Sequence, residues 1–596
     1  MYTLSPHNFH IPVMGIAFTI DSPVKVACYG INSALSIIED NLIEMMRKHY
    51  YQENNEPYVP IEKHEENYRV RRITDYLNLV NRNVHRKLDQ LKNSAFETGS
   101  EIVKYFEMLP EESGLKEKYH RFLEAHGEAK TELENWLRKQ ITPGAIEVNI
   151  MTKVDKNNKN QQGEIIPDGS DALGALRAYA ESDLENSAVI FSAGMNPRLF
   201  NYLENFREFD ATGWGEFKKR VVIKVSDYRS ALIQGKYLAK KGIWVSEFRI
   251  ESGLNCGGHA FATQGLLLGP ILEEFRSKKE ELATELFSLY NPALQSRGDE
   301  GFEKPHPIAI TVQGGIGNHE EQQLLLKHYK VSGTGWGSPF LLCPEATTVD
   351  EKTLEVLSAS KEDDVVLSKA SPLGVRFNYL KGTTAENERL ERIKNNKPGS
   401  PCTEKYLVSS TEFTDEPICT ASRRYQKLKL EQLKTADLPE AEMKQEIDDL
   451  LSKECLCIGL SNSAGLNYGV PMVKKLDAVT ICPGPNIVNF SKVASLQEMT
   501  DHIYGRKELP QKEGRAHMFV KELQLYIDYI QEEIKTCLQP GPRDVKGWKG
   551  FCSNLLGGVE HYRGLLQQEL IKNRNAFEEG LQQMEARILK LKESLE

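Results

Sequence analysis

Cysteine is scarce in this chain, with ten in 596 residues. That density excludes a disulfide scaffold. Long apolar runs are missing as well. The longest, such as Ala188–Ala193 and Gly265–Leu268, are strand- or turn-sized, well short of the ~20 residues a membrane helix needs. Met1–His10 has no basic stretch followed by an apolar one, so no secretory leader is visible. The expectation is a cytoplasmic chain, with reduced thiols and no membrane contact. Positive charge is not in excess either. With 75 Lys and Arg against 85 Asp and Glu, the net charge is −10, which argues against nucleic acid as a partner. What is present, 40% hydrophobic and 27% charged residues, excludes a mostly disordered chain.

Short segments rich in Val and Ile recur along the first two-thirds of the sequence. They are Ile11–Phe18, Val24–Tyr29, Ala145–Thr152, Ala188–Ala193, Arg220–Ser226, Val245–Ile250, Ile308–Val312 and Val331–Phe340. Several read as near-continuous apolar runs, which suit strands buried on both faces of a parallel sheet. Helical stretches separate most of them. Eight such strands alternating with helices predict an α/β fold, a (β/α)8 TIM barrel, with a doubly wound open sheet as the alternative.

Two regions break the rhythm. Residues 41–142 contain no strand pattern, and Ile73, Leu77, Val80, Val84, Leu88 and Leu91 recur at helical spacing. This predicts a helical insertion after the second strand. The barrel then comprises residues 1–40 and 143–390. Beyond it, residues 391–505 are loop-rich and hold five cysteines, and residues 506–596 read as a helical tail. Phe577, Leu581, Met584, Ile588, Leu591 and Leu595 form a short heptad seam. The seam is either a coiled coil joining a homodimer or the buried face of a terminal helix.

Three loops at strand ends are unusual. Gln313-Gly314-Gly315-Ile316-Gly317 and Gly333-Thr334-Gly335-Trp336-Gly337-Ser338 follow the last two predicted strands. In barrels that position commonly binds phosphate, and bare glycine lets backbone N–H groups converge on an anion. The third loop, Gly253–Phe261, carries Gly257-Gly258-His259. A histidine over a barrel mouth is placed to move a proton near neutral pH. Cys256 beside it reads as a packing residue.

The cysteines of the extension are not evenly spread. Cys455-Leu456-Cys457 places two thiols in one locality, and Cys402 and Cys419 complete a four-thiolate set suited to zinc or an iron–sulfur cluster. Unconnected buried thiols are the alternative.

Taken together, these motifs resemble the nitronate monooxygenase (2-nitropropane dioxygenase-like) family of FMN-dependent barrels. That family includes flavin-type enoyl-acyl-carrier-protein reductases and acyl-chain dehydrogenase/isomerases. Its E-A-G-G-H motif looks like Asn255-Cys256-Gly257-Gly258-His259, and its D-G-G-I loop looks like Gln313-Gly314-Gly315-Ile316. Pro12-Val13-Met14-Gly15 resembles its first flavin-contacting loop, and Val148-Asn149-Ile150 its V-N-L strand. Gly374 and Arg376-Phe377-Asn378 resemble its later G-x-x-x-R-x-x-x-N pattern.

The resemblance implies an FMN-dependent oxidoreductase acting on a nitronate, with His259 as general base. FMN would then contact Met14, Gly15, Asn149, Lys224 and Gly258, with its phosphate on Gly314, Gly315, Gly337 and Ser338. The enzymatic alternative is an enoyl reductase or acyl dehydrogenase/isomerase working on an acyl chain carried by acyl carrier protein. The non-enzymatic alternative is a flavin-braced scaffold for a protein partner. Some relatives carry a C-L-C extension with a [4Fe–4S] cluster, for which Cys402, Cys419, Cys455 and Cys457 would be the ligands, with Cys482 as a spare.

Overall fold

The computed structural model describes residues 5–150, 154–160, 162–192, 194–255, 257–259, 263–470, 472–473, 475–510, 514–537 and 539–595. Its centre is a closed barrel of eight parallel strands: β1 Phe9–Ile11, β2 Asn32–Ser36, β3 Ile146–Ile150, β4 Ser187–Phe191, β5 Lys219–Val225, β6 Val245–Glu251, β7 Ala309–Gln313 and β8 Gly333–Gly335. Each strand pairs with its neighbour in sequence, and β8 closes on β1 through Phe9 opposite Thr334. This is a (β/α)8 barrel.

Strand geometry sorts the side chains. Successive residues point to opposite faces, so Val148, Val189, Ile223 and Phe248 join the large core beneath the helices. Ala34, Ala188, Ile190 and Val222 form a separate small apolar cluster with Val13. The same alternation gathers charge within the barrel. Arg249 of β6 reaches across to Glu147 of β3 in a two-pronged contact at 2.9 and 3.0 Å. Its Nε donates to Glu247 at 2.8 Å. Burial opposes the guanidinium charge, but Glu147 and Glu247 more than offset it and hold Arg249 firmly protonated.

Three strand positions differ from the sequence reading. Val24–Tyr29 is not a strand: Ser22–Val26 is helical and Ala27–Tyr29 is a tight 3-10 turn, with Pro23 near the helix start. The second strand lies just after it. Residues 12–18 form the loop after β1, and the last strand is only three residues long because Pro339 opens a 3-10 turn at Ser338. Apolar character alone does not separate a short buried helix from a strand. Thr152 and Ala193, at the ends of two expected strands, lie outside the described residues.

The insertion after β2 is helical, with helices at Asp40–Glu53, Tyr68–Asn93, Glu101–Met108, Gly114–Glu124 and Gly127–Gln140. The stripe from Ile73 to Leu91 is buried. Arg69 and Arg72 on the long helix both bind the carboxylate of Asp40, at 2.9 and 3.0 Å, and Arg69 also donates to Ile38 O at 2.8 Å, which ties the insertion to the segment after β2. Beyond β8, Val365–Ser368 and Phe377–Leu380 pair antiparallel as β9 and β10. The extension shares the barrel's hydrophobic core. Among the described residues no helix is long and apolar enough to cross a membrane. The terminal helix Arg574–Glu593 packs on Met518–Thr536 and Pro542–Gln567 of the same chain, burying Phe577, Leu581 and Ile588. The heptad seam thus packs at least half of its apolar residues against its own chain, with Met584, Leu591 and Leu595 half-buried.

Arg249→Met strands two carboxylates in the barrel and should cost about 3–5 kcal/mol, read as a lower urea midpoint. Burial holds His7 and His10 neutral with pKa about 3, the charge of Arg249 adding to the effect at His10, and lowers His306 to about 4. The unfolded chain binds these protons first. Stability should therefore be intact above pH about 6.5 and fall as the pH drops toward 4, by about 2 kcal/mol per histidine at pH 5. Denaturant titrations between pH 7.5 and 5 would read this slope.

Candidate active site

The carboxyl ends of the strands open into a cleft. Inward positions of β2, β3, β5 and β6 supply Ser36, Asn149, Lys224 and Glu251 to its wall, and the loops after β1 and β6 supply Gly15, Gly257, Gly258 and His259. The extension closes the other side with Tyr406, Leu407, Leu456, Cys457, Leu460 and Cys482. The cleft is therefore polar toward the barrel and mainly apolar toward the extension.

Lys224 pairs with Glu251 at 3.3 Å, and Gln313 donates from Nε2 to the same carboxylate at 2.5 Å. Asn149 is 6% exposed, and its Oδ1 has no hydrogen-bond partner among the described residues. A buried acceptor left unpaired is costly, and a ligand donor would relieve it. Gly258 has φ +77°, and a Cβ there would meet nothing within 4 Å. Its backbone is bare, which permits close approach of a flat ring.

His259 is held from several directions. Its backbone bridges to Phe377 of β10, whose ring meets the imidazole edge-on at 5.4 Å. Asn255 Nδ2 donates to His259 O at 2.9 Å, and Asn378 Nδ2 donates to Asn255 Oδ1 at 2.7 Å. The Asn378 N–H donates to Gly258 O at 3.0 Å. His259 Nε2 lies 2.6 Å from Ser371 Oγ. Arg376, from the same sequence motif as Asn378, points elsewhere and pairs with Glu532 and Glu533.

The structure brings Gly15, Asn149, Lys224, Gly258 and His259 to one cleft. Met14 is buried in the β1 loop, its N–H donating to Thr19 Oγ1 at 3.2 Å, and does not line the cleft. Gly314, Gly315, Gly337 and Ser338 cluster at the β7 and β8 ends, off the cleft wall. There a Cβ on Gly314 would meet Leu254 O at 2.3 Å, and Gly484 of the extension donates its N–H to Ser338 Oγ at 2.7 Å. A Cβ on Gly315 would likewise meet Leu254, so both Gly314 and Gly315 need bare backbone, and Gly315 also lines a separate pocket with Arg515 and Lys521. Cys256 lies outside the described residues.

Cys402, Cys419, Cys455 and Cys457 all line one small cavity, and Cys457 is shared with the mouth cleft. A hydrogen bond from Cys419 draws the Cys402 thiol down to about 7, and burial pushes Cys455 and Cys457 up. None of the nine described cysteines is in a disulfide. The four thiols thus converge, but among the described residues no three or more His, Cys, Asp or Glu side chains stand where they could hold a metal ion. The metal reading finds gathered thiols without a formed site. Cys482 is not among these four; it faces the mouth cleft, beside Gly257.

Sequence reasoning missed Glu251 and Ser371. Glu247, Arg249 and Glu251 alternate through β6 with Phe248 and Ile250, a period-two signal for an inward charged face. Ser371 precedes Pro372 in a loop and carries no such signal.

No protein-family model matches this sequence, and no curated protein matches it. Among solved structures, the chain is similar to the enoyl reductase domain of MlnA from the macrolactin biosynthesis cluster of Bacillus amyloliquefaciens. Identity is 13%, covering 69% of this chain and 88% of that one, with a TM-score of 0.32. It is also similar to nitroalkane oxidase from Streptomyces ansochromogenes, at 9% identity over 63% and 84% of the two chains, with a TM-score of 0.28. Neither likeness contributes to the reading of the site, which rests on the geometry above.

Gly484→Ala tests the contact between extension and barrel. The added Cβ would sit 2.6 Å from Asn255 O and 3.0 Å from Ser338 Oγ. A loss of about 1–3 kcal/mol is expected, measured by thermal or urea unfolding.

Proposed function

We propose that this chain is a flavin-dependent oxidoreductase in which His259 carries the proton. The observation that supports this most is the mouth cleft itself. One wall joins an unpartnered buried acceptor (Asn149), an ammonium–carboxylate pair (Lys224 and Glu251), bare backbone (Gly258) and an oriented imidazole. That set fits the ring of a flavin. Asn149 would take a ring N–H, Lys224 would face a polar ring edge, and Gly15 and Gly258 would leave room for its plane. When bound, FMN supplies the acceptor for an electron pair or hydride. Its phosphate would sit with Gly314, Gly315, Gly337 and Ser338 at the β7 and β8 ends, where Gly315 lines a pocket with Arg515 and Lys521.

The protein's own part is orientation and proton handling. His259, its Nε2 hydrogen-bonded to Ser371, would hold or move a proton at the cleft wall. Lys224 and Glu251 keep charge at the ring end of the cleft, and the extension excludes water. A nitronate-type substrate needs only the polar wall. The apolar surface of Leu407, Leu456 and Leu460 favours a second reading, an acyl chain delivered as a thioester on acyl carrier protein. An iron–sulfur group, if one is bound, would be held by Cys402, Cys419, Cys455 and Cys457 and would supply electron transfer; no step is assigned to it.

The freshly purified, air-protected protein should be yellow, or become so with added FMN, and should release flavin on denaturation. Colourless protein that ignores FMN would remove the reading. His259→Ala should keep FMN affinity and lose about 10²–10⁴-fold in turnover of nitroethane or of NADPH with a crotonyl thioester. Iron and sulfide analysis of the same sample tests the cysteines.

A further inference from the structure

His259 is held by a residue outside the barrel. Ser371 is fully buried. Its Oγ accepts the N–H of Leu373 at 3.2 Å, which uses one lone pair. The hydroxyl proton and the second lone pair are left for the imidazole. Ser371 can therefore donate to a neutral Nε2 or accept from a protonated one without moving its backbone.

The turn carrying Ser371 is clamped by the extension. Lys453 Nζ donates to Lys369 O at 2.8 Å and to Ser371 O at 3.2 Å. The Glu454 N–H donates to Ala370 O at 3.0 Å, and Lys369 pairs with Asp449 at 2.8 Å. Three consecutive residues, 369–371, are thus fixed by the segment that runs directly into Cys455. An ammonium bridging two carbonyls of one turn sets where the side chain of that turn points.

We propose that Ser371 is the positioning residue of His259 and that Lys453 of the extension sets Ser371. The extension then does more than cover the mouth: it orients the imidazole. This rests on the reading of His259 as proton carrier.

The test is the nitrogen spectrum of full-length protein labelled with ¹⁵N-histidine, the His259 signal assigned by its loss in His259→Gln. Ser371→Ala should move the Nε2 signal, and Ser371→Thr, which keeps the hydroxyl, should restore it. Lys453→Met should move it in the same direction by less. Turnover should fall about tenfold or more in Ser371→Ala while FMN affinity stays within about twofold, and should recover in Ser371→Thr. An Nε2 signal unchanged in Ser371→Ala, or not restored by Thr, overturns the proposal. Should the wild-type protein bind no flavin, the functional reading falls, and the Nε2 signal alone decides the role of Ser371.

Discussion

The guanidinium of Arg249 is the constraint on which the barrel depends. It spans the interior from β6 to β3 and binds two carboxylates while almost wholly removed from water. Such a network adds little net stability relative to apolar packing, but losing one member is severe. Here it fixes which residues of β3 and β6 face inward. With Glu147 and Arg249 inside, the pleat forces Asn149 and Glu251, two residues further on, to the same face at the mouth. The polar wall of the cleft is the next layer above the ion network.

The second determinant is the extension. Its residues make the apolar side of the cleft, seat Gly484 against Ser338, and brace the turn carrying Ser371. Asn378 and Asn255 connect that outer layer to the His259 loop. The site is therefore built between two parts of the chain more than 100 residues apart. Gly484 illustrates the tightness: its backbone fits where no Cβ can, so the extension and the β6 and β8 loops pack as one unit.

Legibility followed the range of the interaction. The barrel was readable because each buried strand writes its own apolar run, and the insertion because one helix face repeats every three or four residues. Val24–Tyr29 misled because six apolar-rich residues satisfy a short helix as well as a strand. His259, Asn149, Lys224, Gly15 and Gly258 could be picked out because they lie at strand ends, where barrel geometry sends side chains and loops to the mouth. The glycines of the β7 and β8 loops showed in sequence that close approach was needed there, but not what approaches.

The sequence by itself determined the barrel, the helical insertion, the candidate proton carrier and the presence of clustered thiols, since these depend on local period and loop chemistry. Only the tertiary structure decided that Gly484 meets the Ser338 loop and that four cysteines at irregular spacing share one cavity without a formed metal site. It also decided that the buried half of the terminal seam packs on its own chain and that Ser371 holds His259. Each of these is a contact between distant segments. No local pattern encodes such a contact, because the partners meet only when the whole core has packed.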